Sequence, residues 1–501
     1  FYISPMFDFF PEQDLKNNTE VVPYLYQGGL GMPSRDYYVK DDSRSQEVRA
    51  AYLDYISSLL VLAGADEEAS SEAANKILEL ETRLAEKSRS RVQLRDPELN
   101  YNNMSLEELA TVAPSIDWNR YFSLVGVENP QVIIINSPDF FTELSALMNE
   151  VPLETWKLYT RFHYLSAAAS YLGSEFRQVD FAFNENVLNG TEEMKPRWKQ
   201  VQETIDSFMG EALGEVYCEK AFTAETKARM MELVNNLQAA FEQRINNLDW
   251  MTDETKEKAQ VKLSTIIKKI GYPDKWRDYS SLAIDRESYM MNVKRAARFE
   301  FDRNIAKIGK PVDKTEWGMS PQTVNAYYNP LINEIVFPAG ILQPPFFDPN
   351  ADDAVNYGAI GSVIGHEMTH GFDDQGRQFD AEGNLKNWWT SEDSARFEER
   401  AAMLVEQYSN FAVNDSLRVN GEFTLGENIA DLGGVTIAYD AYLMSLDGSA
   451  DPEPIDGYSA RQRFFLGYAQ VWRNNIRPEA AAQRIMTDPH SPGMYLSLIH
   501  I

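Results

Sequence analysis

Gly365-His366-Glu367-Met368-Thr369-His370 is the stretch whose reading decides the fold. On a helix, His-Glu-x-x-His sets two imidazoles one turn apart on one face, with a carboxylate beside them, which is the geometry of a hydrolytic zinc site. The chain has only five histidines among 501 residues, so two at this spacing carry information. The pattern predicts a helix from Asp353 to Gly371, with Gly371 as its stop.

A hydrolytic zinc takes three protein ligands and keeps a fourth position for water. His366 and His370 are two, and the third must come from another element packed against their helix. Glu427 lies 57 residues beyond His370, in Gly426-Glu427-Asn428-Ile429-Ala430-Asp431. Glu427 and Asp431 share one face of a helix predicted to begin near Leu425 and run past Ala438. Alone, Glu-x-x-x-Asp describes a solvated helix face. Beside a His-Glu-x-x-His helix it supplies a ligand, Glu427, and a carboxylate, Asp431, to accept a ring N–H from His366. Glu367 is too close in sequence to His366 to face the metal, but it reaches the water in the fourth position as general base. His490, in Asp488-Pro489-His490-Ser491-Pro492, is the candidate oxyanion stabiliser, with Asp488 orienting its ring.

Outward from the motif, the last 190 or so residues hold the chemistry. Asn325 to Pro338 reads as a β-hairpin around Pro330-Leu331-Ile332-Asn333. The Gln343 to Phe347 loop, with Pro344 and Pro345, is not helical. A further helix spans Arg461 to Asn474. Before Thr315 the chain reads as helix after helix. Ser43–Leu62 and Glu67–Glu86 are amphipathic, Ser105 and Glu108 form a capping box, and apolar residues recur helically after Thr223. Thr252 caps a run ending near Gly271. These apolar stripes are core. The division is a helical domain at 1–314 and a catalytic domain at 315–501.

The net charge of −29 and pI near 4.6 exclude a nucleic-acid partner, because phosphate binding needs clustered Lys and Arg. Cys218 is the only cysteine, so no intrachain disulfide forms. No apolar run reaches the ~18 residues of a membrane span.

Several strings together resemble the neprilysin and endothelin-converting-enzyme family of zinc endopeptidases, including its bacterial oligopeptidases. They are Tyr26-Gln27-Gly28-Gly29-Leu30-Gly31, Leu248-Asp249-Trp250-Met251, Ile270-Gly271-Tyr272-Pro273, Asn325-Ala326-Tyr327-Tyr328, Phe337 to Phe346, Gly365 to Asp374 and Gly426 to Gly434. The resemblance runs nearly end to end. It implies a mainly α, two-domain fold, a helical cap plus a thermolysin-like zinc domain with a small β element. It also implies one zinc ion per chain and cleavage of oligopeptides on the amino side of hydrophobic residues. Asn325 and Ala326 would then bind the substrate backbone as an edge-strand partner. Phe346, Val363, Val471 and Trp472, which bottom-up are merely apolar, would line the pocket for the residue after the cut. An extracytoplasmic location follows from the resemblance alone.

Departures from the family pattern sit at the ends. Leu496 stands where the family has an arginine that grips substrate, and Leu496 to Ile501 matches nothing in the family. With no leader at Phe1, the resemblance implies truncation at both ends. Two other readings stay open on the residues themselves. One is a zinc aminopeptidase, which would need acidic residues to hold a free amine. The other is a peptide-binding protein with structural zinc, which would need four protein ligands.

Overall fold

The structure is a computed structural model that describes residues 5–414 and 417–496. Most of its regular structure is helical. Contacts group the chain into two compact units, each discontinuous in sequence.

The first unit comprises 1–204, 280–312 and 476–487. Here the expectation of helix after helix needs correction. β1 (Phe7–Asp14) and β2 (Asn17–Gln27) form an antiparallel hairpin. β3 (Asn102–Met104) and β4 (Ile133–Ile135) complete a sheet of order β1-β2-β4-β3, with β2 and β4 parallel. Phe7 and Phe9 point into the core while Asp8 between them faces solvent, the two-residue period of a half-buried strand. Prolines at 11 and 23 argue against strands, but they lie opposite each other in register. β2 meets β4 only at Tyr24 and Leu25, so Pro23 interrupts no bond on that side. Helices α1 (Ser43–Leu62) and α2 (Glu67–Lys87) lie where the apolar spacing placed them, capped by Asp42 and Asp66. They bury Tyr52, Ile56, Leu59, Ile77, Leu80 and Leu84 in one aromatic-rich core.

The second unit comprises 205–279, 313–475 and 488–501. It contains α3 (Ala224–Asn246) and α4 (Asp253–Ser264). The latter stops at Ser264, short of Gly271, because Ile267–Gly271 forms β5 instead, pairing in parallel with β7 (Glu334–Pro338). Thr252 occupies the N-cap position, but its hydroxyl donates to Asp393 and makes no cap bond. The expected hairpin is present: β6 (Tyr327–Asn329) pairs antiparallel with β7, and the order β5-β7-β6 leaves β6 at the sheet edge.

The motif helix is composite. Asp353–Asn356 is α-helical, Tyr357–Gly361 widens to a π-helical turn, and α5 (Ser362–His370) follows. Gly371 ends it with an ordinary φ of −61°, so the stop needs no left-handed residue. α6 (Ser391–Ser409), α7 (Leu425–Ser445) and α8 (Ala460–Trp472) complete the unit. Glycines bring α5 and α7 backbone to backbone. A Cβ on Gly365 would lie 2.6 Å from Gly434 O, and one on Gly434 would lie 2.5 Å from Ser362 O. Side chains one and two turns before Gly434, Asp431 and Glu427, therefore reach the histidines of α5.

Candidate metal centre

His366 and His370 project from α5 with their Nε2 atoms 2.9 Å apart. From α7, Glu427 Oε2 lies 3.3 Å from His366 Nε2 and 3.4 Å from His370 Nε2. His490 Nε2, from the loop after residue 487, lies 3.2 Å from the same oxygen. Among the described residues Glu427 Oε2 is buried and makes no hydrogen bond of ordinary geometry; three imidazole nitrogens face it instead. That is the donor set of a cation. Zinc–ligand bonds of 2.0–2.1 Å in a tetrahedron separate ligand atoms by about 3.3 Å, which the two histidine–glutamate distances match. His366, Glu427 and His490 also lie close enough to hold an ion together, a set that does not include His370, although His370 Nε2 lies 3.4 Å from the same Glu427 oxygen.

Each ring is held from behind. His366 Nδ1 meets Asp431 Oδ1 at 2.8 Å, His370 Nδ1 meets Asp373 Oδ2 at 2.7 Å, and His490 Nδ1 meets Asp488 Oδ1 at 2.7 Å. These bonds leave each Nε2 directed at the centre. Ser491 donates to Asn428 Oδ1 at 2.7 Å, tying the His490 loop to α7.

The electrostatics are those of a crowded, water-poor pocket. Burial and the neighbouring His370 oppose protonation of His366, yet Asp431 and Glu427 outweigh them and push it up to about 10. Burial also disfavours the charge on Glu427, but the imidazoles hold its carboxyl well below the usual range. Glu367 is 6 % exposed, and burial raises its carboxyl while His366 and His370 pull the other way. A carboxylate raised toward neutrality is suited to general-base work.

The remaining candidates fall as follows. Asn325 is exposed and Ala326 is buried, immediately before the edge strand β6. Phe346, Val363 and Trp472 join one hydrophobic cluster, with Val471 half-buried beside Trp472. Leu496 is buried, and its carbonyl accepts from Tyr468. The rest of that ending, 497–501, lies outside the described residues. Sequence reasoning missed Asp373. Helical spacing cannot find it, because it sits in the loop beyond the helix. The acid pair in His370-Gly371-Phe372-Asp373-Asp374 was the available signal.

A His-Glu-x-x-His helix locked to a second, glutamate-bearing helix defines the zincin class of site. The chain belongs to peptidase family M13, whose two models match residues 1–273 and 325–497. It is 36 % identical to mouse endothelin-converting enzyme 1 over 509 residues, covering 98 % of this chain and 66 % of that protein, and equally similar to the human enzyme. It thus spans about two thirds of the length of those relatives. Among solved structures it is similar to the zinc metalloprotease Zmp1 of Mycobacterium tuberculosis in complex with an inhibitor. There the TM-score is 0.94 and the identity 41 %, over 98 % of this chain and 75 % of that one. It is also similar to PepO of Lactobacillus rhamnosis, with a TM-score of 0.90 and 26 % identity over 99 % and 77 %.

Proposed function

We propose that this chain is the core of a zinc endopeptidase that hydrolyses oligopeptides on the amino side of hydrophobic residues. The observation that carries the reading is the convergence of His366, His370 and Glu427 on one centre, with Glu367 buried beside it. These three residues would hold one zinc ion. When bound, zinc supplies Lewis acidity, acidifying water and polarising the scissile carbonyl.

Everything else is work for the protein's own side chains. Glu367 takes the proton of the attacking water and passes it to the leaving amine. Asp431 and Asp373 fix the rings of the two ligand histidines. His490, positioned by Asp488, donates to the developing oxyanion. Asn325 and Ala326 extend the free edge at β6, where a substrate backbone can add as a strand. Phe346, Val363, Val471 and Trp472 supply apolar surface for the residue after the cut. In this reading 1–314 is the helical domain and 315–501 the catalytic one. Likeness to the enzymes named above supports the peptide substrate class; an extracytoplasmic location is proposed from the family resemblance alone. Among the described residues no helix is long and apolar enough to cross a membrane.

The test is metal analysis of the purified chain together with hydrolysis by Glu367→Gln. One equivalent of zinc, and a rate loss of about 10²–10⁴-fold in the variant, is the expected result. Zinc-free protein, or undiminished hydrolysis by the variant, sinks the reading. Equal cleavage of N-acetylated and free peptides separates endopeptidase from aminopeptidase action.

A further inference from the structure

Lys262, on α4, is 1 % exposed, a rare state for an ammonium group. Removing such a charge from water is costly unless its donors are well used. Its Nζ donates to Gly376 O and Phe379 O, each at 2.7 Å. The ring centroids of Phe372 and Trp388 lie 5.6 and 5.8 Å from the same nitrogen. All four contacts are to the segment that follows His370.

That segment folds back tightly on the metal helix. A Cβ on Gly376 would lie 1.7 Å from His370 O, so only glycine fits there. Asp373 Oδ1 accepts from the backbone N–H of Gln375 at 2.9 Å and of Gly376 at 2.6 Å. The other oxygen of the same carboxylate holds His370 Nδ1 at 2.7 Å. A continuous path therefore runs from the lysine through the backbone of Gly376 to Asp373 and on to His370. Lys262 is also tied to the substrate edge, because its carbonyl accepts from Asn333 Nδ2 at 2.9 Å in the β6–β7 turn.

We propose that Lys262 is a positioning residue for the metal site, clamping the 371–379 loop so that Asp373 presents His370 to the ion. The inference rests on the zinc reading above. Lys262 touches neither substrate nor ligand and acts through the loop.

The experiment compares zinc affinity, by competition with a chromophoric chelator, in the wild type, Lys262→Met, Asp373→Asn and the double variant. Cobalt-substituted absorption spectra report ligand geometry in parallel. Lys262→Met should weaken zinc binding about 10–100-fold, as losses of a ligand's supporting partner do, and should alter the cobalt spectrum. The double variant should bind no more weakly than Asp373→Asn alone, because the two residues lie on one path. Met230→Ala, in the core at the start of α3, lowers thermal stability without this linkage and should keep wild-type zinc affinity. Lys262→Gln retains a donor without the charge and carries the same comparison should Lys262→Met fail to fold. Wild-type affinity in Lys262→Met, or losses that multiply in the double variant, overturns the positioning role. A wild type that binds no zinc overturns the metal reading itself, and this inference with it.

Discussion

His490 is the residue whose role the geometry leaves most finely balanced. Its Nε2 lies 3.2 Å from Glu427 Oε2, close enough for a fourth ligand, yet its side chain is 47 % exposed while that of His366 is 9 % exposed. A group at the open side of the centre is placed to meet substrate. His490→Ala should therefore lower kcat by about 10²–10³-fold, the usual loss for one oxyanion donor, with KM and zinc content nearly unchanged. Zinc loss in this variant would make the residue a ligand. Its protonation gives a second readout. Burial disfavours the imidazolium, but Asp488 and Glu427 overcome it, so the pKa is raised above the ordinary 6.5. The active form is the protonated one, hence activity is present at lower pH and is lost as pH rises through that raised value. The alkaline limb of kcat should lie above pH 6.5, and Asp488→Asn should move it to lower pH. The pairing of Asp488 with His490 was legible because only Pro489 separates them in the turn. The bond of Asp373 to His370 was not, since it depends on a loop whose path is set by Lys262, far away in sequence.

At the level of elements, the site exists because α5 and α7 touch through glycine. Helix propensity alone favours Gly434→Ala by roughly 1 kcal/mol. The new methyl group would meet Ser362 O at 2.5 Å and His366 N at 2.6 Å, both backbone atoms that cannot swing away. Overpacking of this kind costs about 1–3 kcal/mol, so the sign should be destabilising. Gly434→Ala should lower the thermal midpoint and also weaken zinc binding, because parting the helices draws Glu427 from His366. A stabilised variant with intact zinc binding would show that the helices can separate without disturbing the site. The helices of this pair were readable from their periodicity and from Gly-Glu-Asn-Ile-Ala-Asp. Other elements were hidden for identifiable reasons. β1 and β2 each carry a proline that normally marks a strand interruption. β5 continues a helical-looking run and becomes a strand only because residues more than sixty positions later supply its partner, β7.

The division into compact units is the least local property of the chain. Ile205–Tyr279 and Ser280–Val312 adjoin in sequence, and both hold helices, yet they belong to different units. No change of composition marks the crossing. Charge, by contrast, is a whole-molecule quantity that any reader of the sequence can count. With 76 acidic against 47 basic residues, the field at long range is negative. A cationic peptide approaching the centre is drawn in, and an anionic one is slowed, before any side chain is touched. Two peptides with the same hydrophobic residue at the cut, one flanked by lysines and the other by glutamates, should therefore differ in kcat/KM by roughly tenfold or more at low ionic strength. Salt shortens the reach of the field to about 10 Å at 0.1 M and about 3 Å at 1 M, so the ratio should fall steadily toward unity. A preference that persists unchanged at high salt would instead place the discrimination in close contacts near Asn325 and Trp472, where screening has little purchase.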